Sequence, residues 1–556
     1  MKRLYFAFWI IVFLFVCLPS ASQAQVTSNG APIRSVQRER TAGAAQLELT
    51  GRTLQPEGLR GEYLTFTMRD PHTYPGTERL IKVYVPREYD GKRPACTAIM
   101  MDDIMYGLAQ SIDTLIASGE MPVTIAVGVR PGRIYDNLPV SGSAVAQNPS
   151  ASSASQTREV IRYNRSNEFD RCDGRFASFL AEEVLPAVSS FSTGDGLPIL
   201  LSRSADDRMV LGASSGAIAA FTAAWFRPDL FSRVYSIIGT FVPMRGGDHY
   251  PGLIRKTEPQ RLRIYLQDND EDTWNPLFGS WYEYNLLMES ALGFAGYELG
   301  HHWDKGGHNG RNGGAIMSEA LRFLWKDYPS PVKKGKSGNA TLNSIIDSSS
   351  VWTLVAANVP EGLFIKSAGG ACNDGAGLEA SGRSSANGSG FAMPQLLGVG
   401  ENGFDPYVAV YPGGKHRAIA DVKSQWISNE VIAVGASGES RAVDGEHTVG
   451  AQTDAMAPED GLYRQEFYKL HTNGGQICFD TAGYLYCATE IGVQICDHNG
   501  RVRVILPLPS GAVSSVGLVG NVLYVISGGN LYARKVQRSG FSSALSVSAP
   551  DSDGQG

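Results

Sequence analysis

The sequence predicts an α/β domain followed by an all-β domain, and three observations carry that prediction. Short apolar runs such as Arg208–Leu211 and Arg263–Gln267 alternate with helical stretches such as Ala217–Trp225 and Ala315–Trp325, the pattern of strands and helices stacked in layers. That pattern stops at Trp325–Pro329, and a Pro/Lys/Gly/Ser-rich linker over 330–343 follows. Beyond it helical periodicity vanishes. Short alternating segments separated by Gly, Asn and Asp take over at Tyr484–Ala488, Val493–Cys496, Val502–Leu506, Val522–Ile526 and Asn530–Arg534.

A chain of 556 residues is too long for one core. Met1–Arg3 is basic, the run Leu4–Leu18 is apolar, and Ser22-Gln23-Ala24 has the small-x-small form of a cleavage site. Residues 1–24 are therefore expected to be a signal peptide, with the mature protein periplasmic or secreted. The apolar run is shorter than the roughly 20 residues a spanning helix needs, so no membrane association is expected after cleavage. Residues 25–55 read as an irregular arm, 56–329 as the α/β domain, 344–540 as the all-β domain and 541–556 as a disordered tail. A net charge of −6, with Lys and Arg scattered, excludes a nucleic-acid surface. Six cysteines follow the leader: Cys96, Cys172, Cys372, Cys478, Cys487 and Cys496. An oxidising compartment permits disulfides, but the spacing selects no pairing. No CxxC or close His partner suggests a metal.

The most informative stretch is Gly212-Ala213-Ser214-Ser215-Gly216. Gly-x-Ser-x-Gly between a strand and a helix is a nucleophile elbow: the chain turns so sharply that side chains at the glycines would strike backbone, and the serine stands at the apex. Such a serine needs an acid and a histidine later in the chain. His308 lies in the glycine-rich loop Gly306–Gly310 just before a helix, where a general base is delivered, whereas His301 and His302 belong to the preceding strand. The strand Arg263–Gln267 runs into Asp268, Asp270, Glu271 and Asp272. One of these acids can orient the histidine, with at least three of the four expected in a solvated loop. The pattern does not choose among them.

Residues 80–329 resemble the enterochelin-esterase-like branch of the α/β-hydrolases. The resemblance rests on Val83–Pro86, Leu115–Gly119, Asn164–Asp170, Arg227–Asp229, Arg245–Gly247, Leu253–Arg255, Gly279–Trp281 and Gly306–Asn309. It implies a Ser-His-Asp triad. Its spacing, Leu-Gln-Asp followed by three residues and then the acid, selects Asp272, with Asp270 in reserve. It also implies an oxyanion hole from the N–H of Ser215 and the loop after the first core strand, here Asp103 and Ile104. That loop carries Asp103 where the family has glycine, so a carboxylate is expected near the developing oxyanion. Tyr106, Arg245, His249 and Trp281 are the candidate pocket residues, and Trp281, Tyr282 and Tyr284 could form an aromatic wall.

Residues 470–538 resemble a late blade of gluconolactonase/regucalcin-type β-propellers, on the stretch from Cys478 to Val502. Such propellers bind an axial divalent cation such as Ca. Glu361 is the candidate first ligand, but Asn473–Gly475 stands where the late Asp is expected, and 344–540 is short for six blades of about 45 residues. The expected fold is therefore an α/β-hydrolase sandwich followed by an incomplete or diverged propeller. The expected function is an exported serine esterase that needs no cofactor and acts on a small-molecule or polysaccharide ester. The substrate classes are feruloyl- or acetyl-type carbohydrate esters or a siderophore. A metal-dependent sugar lactonase in the tail and a non-catalytic carbohydrate-binding protein are the alternatives.

Overall fold

The computed structural model describes residues 45–54, 58–135, 160–347, 349–359, 363–365, 396–398, 431–434, 440–442, 463–466, 468–508 and 511–540. Residues 1–24, expected to be a signal peptide, Glu361, Cys372 and residues 541–556 lie outside the described residues.

One mixed sheet organises the α/β part. Its strands are β1 (Gln46–Leu54), β2 (Glu62–Arg69), β3 (Glu78–Val85), β4 (Cys96–Met101), β5 (Thr124–Val129), β6 (Arg133–Tyr135), β7 (Val160–Tyr163), β8 (Arg208–Ala213), β9 (Arg233–Ile237) and β10 (Arg263–Asn269). A short hairpin of β11 (Trp274–Asn275) and β12 (Gly279–Ser280) separates these from β13 (Glu298–Asp304). The order across the sheet is β1-β2-β3-β5-β4-β8-β9-β10-β13, with β6 and β7 as a side branch on β3. From β5 to β13 all neighbours are parallel, and β1 to β3 add an antiparallel edge. The strand sequence reverses direction across the sheet between β4 and β8, a switch point at which open α/β sheets place their ligands beyond the carboxyl ends of the strands.

The helices are α1 (Leu108–Ala117), α2 (Arg165–Phe169), α3 (Arg175–Phe179), α4 (Leu185–Ser189), α5 (Ser215–Phe226), α6 (Tyr250–Lys256), α7 (Trp281–Phe294), α8 (Arg311–Ala315) and α9 (Met317–Trp325). Strand parity sorts the apolar side chains into two layers. Ile99 and Met101 of β4, Val210 of β8, and Ile264 and Leu266 of β10 pack with α5, α6 and α7. Ala98 and Met100, Met209 and Leu211, and Tyr265 point the other way, onto α1 and α9. Such two-sided burial is why β4, β5 and β8 are buried at every position. Arg79 on β3 and Glu168 on α2, both wholly buried, form a bidentate pair at 2.7 and 3.0 Å that ties the antiparallel edge to the helical layer.

Three expectations change. Residues 46–54 of the irregular arm form β1, whose Leu47 and Leu49 alternate with polar residues and whose backbone pairs with β2 from Gln46↔Arg69 to Leu54↔Glu62. The helix expected from Ala315 is instead two, α8 and α9, broken at Ile316. The last residues of the linker enter a helix, Ala340–Ile345, because Asn339 caps it and Leu342 and Ile345 bury in the tail core.

The C-terminal region consists of separate antiparallel sheets. Gly474–Phe479, Leu485–Thr489, Gly492–Cys496 and Val502–Leu506 form a four-stranded meander. Val513–Val519, Val522–Ser527 and Asn530–Lys535 form a second sheet, completed at its edge by Thr353–Ala356 from far upstream. Gln476 links the two sheets, accepting from the Ser515 hydroxyl and the Val516 N–H. Strands 363–365, 396–398, 431–434, 440–442 and 463–466 form a two-stranded and a three-stranded sheet.

A buried ion cluster joins this region to the α/β part. Arg534 donates two bonds to Glu258, at 2.5 and 2.8 Å, and Lys334 also pairs with Glu258. The Glu258 N–H donates to the Ile505 carbonyl at 2.9 Å. Burial alone would raise the Glu258 carboxyl, but Arg534 and Lys334 outweigh it and hold it below its ordinary range.

Three substitutions test this packing. Gly212→Ala is expected to destabilise the fold by about 3 kcal/mol, because its Cβ would lie 2.4 Å from the Gly216 carbonyl oxygen. Gly252→Ala in α6, with open space around it, should instead be neutral or stabilising by up to about 1 kcal/mol, and urea titrations compare the two variants. Arg534→Ala strands a buried carboxylate and should cost about 3–5 kcal/mol. Because the folded-state pKa of Glu258 is depressed, the stability it contributes is complete above its unfolded value of about 4.3 and is lost on acidification below it. Thermal melts of wild type and Arg534→Ala should therefore converge at low pH.

Candidate active site

The elbow is built by backbone proximity. Gly216 faces β4 so closely that a Cβ there would meet the Met101 Cβ at 3.0 Å and the Asp102 carboxylate at 3.3 Å. Between Gly212 and Gly216, Ser214 adopts φ 58° and ψ −122°, a conformation L-residues rarely hold without surrounding constraint. The constraint is a set of backbone bonds: Ser214 N–H to Ile237 O at 3.0 Å, and Thr240 N–H to Ser214 O at 3.3 Å. Ser214 therefore stands at the end of β8, above the first turn of α5.

The structure brings His308 and Asp272 to this serine. His308 Nδ1 lies 2.6 Å from Asp272 Oδ1, and His308 Nε2 lies 2.9 Å from Ser214 Oγ. A carboxylate only accepts, so Nδ1 carries the hydrogen, leaving Nε2 to accept from the Ser214 hydroxyl. Asp272 Oδ1 also accepts the Thr273 N–H. Burial raises the Asp272 carboxyl, but hydrogen bonds from His308 and Asp268 outweigh it and keep it ionised. Asn269 fixes the histidine loop by donating to the carbonyls of Gly307 at 2.8 Å and Asn309 at 3.2 Å.

The acid cluster departs from expectation. Only Asp270 and Glu271 lie outside the interior. Asp268 is wholly buried because β10 continues through Asn269, and Asp272 is 8 % exposed. Asp270 pairs with Lys305 instead of a histidine. Among the other histidines, His301 pairs with Glu289 at 3.1 Å and His302 with Asp304 at 3.2 Å.

The loop expected to form the oxyanion hole, Asp102–Ile104, also differs from expectation. The Asp103 carboxylate turns to Arg130, at 2.5 Å, and to Lys82, at 3.0 Å. Burial would raise it, but these cations and the Ile104 N–H hold it below the usual carboxylate range. The Ile104 N–H is spent on Asp103 Oδ1 at 2.8 Å, which corrects its assignment as an oxyanion donor. The N–H groups of Ser215 and Asp103 have no acceptor among the described residues. Neighbouring Asp102, at φ 75°, forms a bidentate pair with Arg165 at 2.9 and 2.8 Å, clamping the loop to α2.

Of the candidate pocket residues, Trp281 reaches the site. Its ring meets His308 edge-on, with centroids 6.1 Å apart, and its Nε1–H donates to Thr240 Oγ1 at 3.1 Å. Tyr106 packs on Gly310 and Gly314, just beyond His308. Arg245 donates to Ser166 Oγ at 3.1 Å, and His249 is an exposed side chain beside Asp248. Neither shows a contact with Ser214, His308 or Asp272. Thr240 was missed by the sequence reading. Its Oγ1 lies 3.2 Å from Ser214 Oγ, and with the Ser214 proton directed to His308 the Thr240 hydroxyl donates to that oxygen. A threonine three residues past a strand carries no sequence signal for this role. Among the described residues no group of three His, Cys, Asp or Glu is placed to hold a metal.

Ser214, His308 and Asp272 thus lie together at the strand ends of the mixed sheet. Residues 73–291 match the family model described as Putative esterase. That match, over a mixed-sheet α/β fold, supports a carboxylic ester hydrolase for this part of the chain. No curated protein matches. Similar solved structures include a ferulic acid esterase, 13% identical, covering 48% of this chain and 98% of that one at a TM-score of 0.34. The enterobactin esterase from Shigella flexneri is 18% identical, covering 49% and 61% at 0.33. An S-formylglutathione hydrolase from Agrobacterium tumefaciens is 12% identical, covering 50% and 99% at 0.32.

Asp272→Asn is expected to lower kcat about 10⁴-fold by leaving the imidazole in the wrong tautomer. Asp270→Asn, on the surface at Lys305, should stay within a few-fold of wild type. Steady-state hydrolysis of an activated ester compares the two.

Proposed function

We propose that the protein is an exported serine esterase whose nucleophile is Ser214, general base His308 and orienting acid Asp272. The contiguous bonds Ser214–His308–Asp272, at 2.9 and 2.6 Å, carry this reading. Ser214 Oγ attacks the acyl carbonyl while its proton passes to His308 Nε2. The Ser215 and Asp103 N–H groups donate to the developing oxyanion at the positive end of α5. Collapse of the tetrahedral intermediate breaks the ester C–O bond, and His308 returns the proton to the departing alcohol. Water then repeats the sequence on the acyl-serine, releasing the acid and free Ser214. The cation pair on Asp103 limits the penalty of a carboxylate in this loop.

Trp281 beside His308 favours a feruloyl- or acetyl-type ester on a carbohydrate, with a siderophore ester as the second substrate class. Export to the periplasm or beyond rests on the apolar run and small-x-small site at the N-terminus. The tail is read as a diverged propeller-type module with a binding role. In support, two of its sheets have four antiparallel strands, the size of a propeller blade.

p-Nitrophenyl acetate hydrolysis tests the assignment. Ser214→Ala should abolish turnover and labelling by a fluorophosphonate probe, and EDTA should leave wild-type activity unchanged. Activity that survives Ser214→Ala but is lost with EDTA would move the chemistry to the tail.

A further inference from the structure

Asp268 is a wholly buried carboxyl that the triad chemistry does not use. Its Oδ1 accepts the Asn269 N–H and its Oδ2 accepts from Asn285 Nδ2, both at 2.7 Å. Asn285, itself buried on α7, also donates to the carbonyls of Gly239 and Trp281. Asp268 is thus held between the end of β10 and the helix that bears Trp281. Four residues on, Asp272 has one oxygen engaged by His308 and Thr273. Its other oxygen, Oδ2, is buried, and no amide, hydroxyl or basic group among the described residues donates to it. A buried carboxylate oxygen without a donor carries a desolvation penalty of about 1–3 kcal/mol or more. A hydrogen bond between the two carboxyl groups answers that deficit, and it requires one proton between them.

We propose that Asp268 is a positioning residue that stays the neutral acid at neutral pH and donates its carboxyl O–H to Oδ2 of Asp272. The inference rests on the triad reading above. The pair then carries a single negative charge, located on the member that faces His308. Two ionised carboxylates at this depth would repel each other. Burial first, then the bond to Asp272, raises Asp268 to about 9. The other titratable groups nearby do not offer it a cation. Tyr282 on α7 senses it only through space, Asp304 at the end of β13 is engaged by His302 and Gln267, and Lys305 pairs with Asp270. As pH rises through the Asp268 pKa, its donor is lost and a second negative charge appears. Asp272 then loses its anchor and esterase activity falls on the alkaline side.

Asp268→Asn keeps an N–H donor that cannot titrate, whereas Asp268→Leu removes it. The asparagine variant should retain kcat/KM within a few-fold at neutral pH and lose the alkaline limb. The leucine variant should fall about 10- to 100-fold, the equivalent of one charged hydrogen bond. Infrared spectroscopy supplies a readout independent of turnover. Wild type and Ser214→Ala should both show a protonated-carboxyl stretch at neutral pH that disappears near pH 9, and Asp268→Asn should lack it. Absence of that band in the wild type, or an asparagine variant as impaired as the leucine one, overturns the proposal. A band present in a protein whose Ser214 does not react with fluorophosphonate would instead sink the serine-esterase reading and leave the carboxyl pair standing.

Discussion

The contact on which the rest of this site depends is the near-touching of two backbones at Gly212 and Gly216. With a Cβ at position 212 only 2.4 Å from the Gly216 carbonyl, α5 can start directly above the end of β8 only if both positions are glycine. That proximity forces Ser214 into its strained conformation and lifts its hydroxyl out of the core. It also presses the start of α5 against Met101 and Asp102, so the Asp102–Ile104 loop and Ser214 share one small volume. The strain is sustained because β8 sits between β4 and β9, buried along its whole length, and has no direction in which to relax.

Around that point the site is assembled by strand ends. β8 supplies Ser214, the segment after β9 supplies Thr240, β10 supplies Asp268 and Asn269, and the loop after β13 supplies His308. Parallel strands in register bring these ends to one edge of the sheet, and Asn269 then pins the His308 loop by its carbonyls. Polar groups this deep must satisfy one another. The buried polar chain from Asn285 through Asp268 and Asp272 to His308 meets that demand only in part, because Asp272 Oδ2 and Asn285 Oδ1 find no amide, hydroxyl or basic donor among the described residues. The Asp102–Ile104 loop handles the Asp103 carboxylate differently, by setting it against Lys82 and Arg130 near solvent.

Glu258 and Arg534 give the tail a fixed attachment to the α/β part. Glu258 follows α6, and its backbone also joins the meander at Ile505. An ion pair so fully desolvated contributes little net stability when intact but penalises separation heavily, which suits a contact that specifies placement.

The sequence by itself determined the α/β layering, the turn at Ser214, the glycine-rich loop at His308 and the change to short strands after residue 343. All of these are local: glycine at fixed spacing, apolar period, and composition. It left the acids between Asp268 and Asp272 open, since an Asp on a loop and an Asp inside a sheet are written alike. It also misread residues 46–54, where alternation over Leu47 and Leu49 was the overlooked cue. Only the tertiary structure decided that β10 runs on through Asn269, which buries Asp268. It alone set Thr240 beside Ser214 and turned the Asp103 carboxylate onto Lys82 and Arg130. Those outcomes depend on which strands are neighbours, and the partners lie 21 to 27 residues apart along the chain. No local pattern records them, because burial and charge pairing are settled only when distant segments meet.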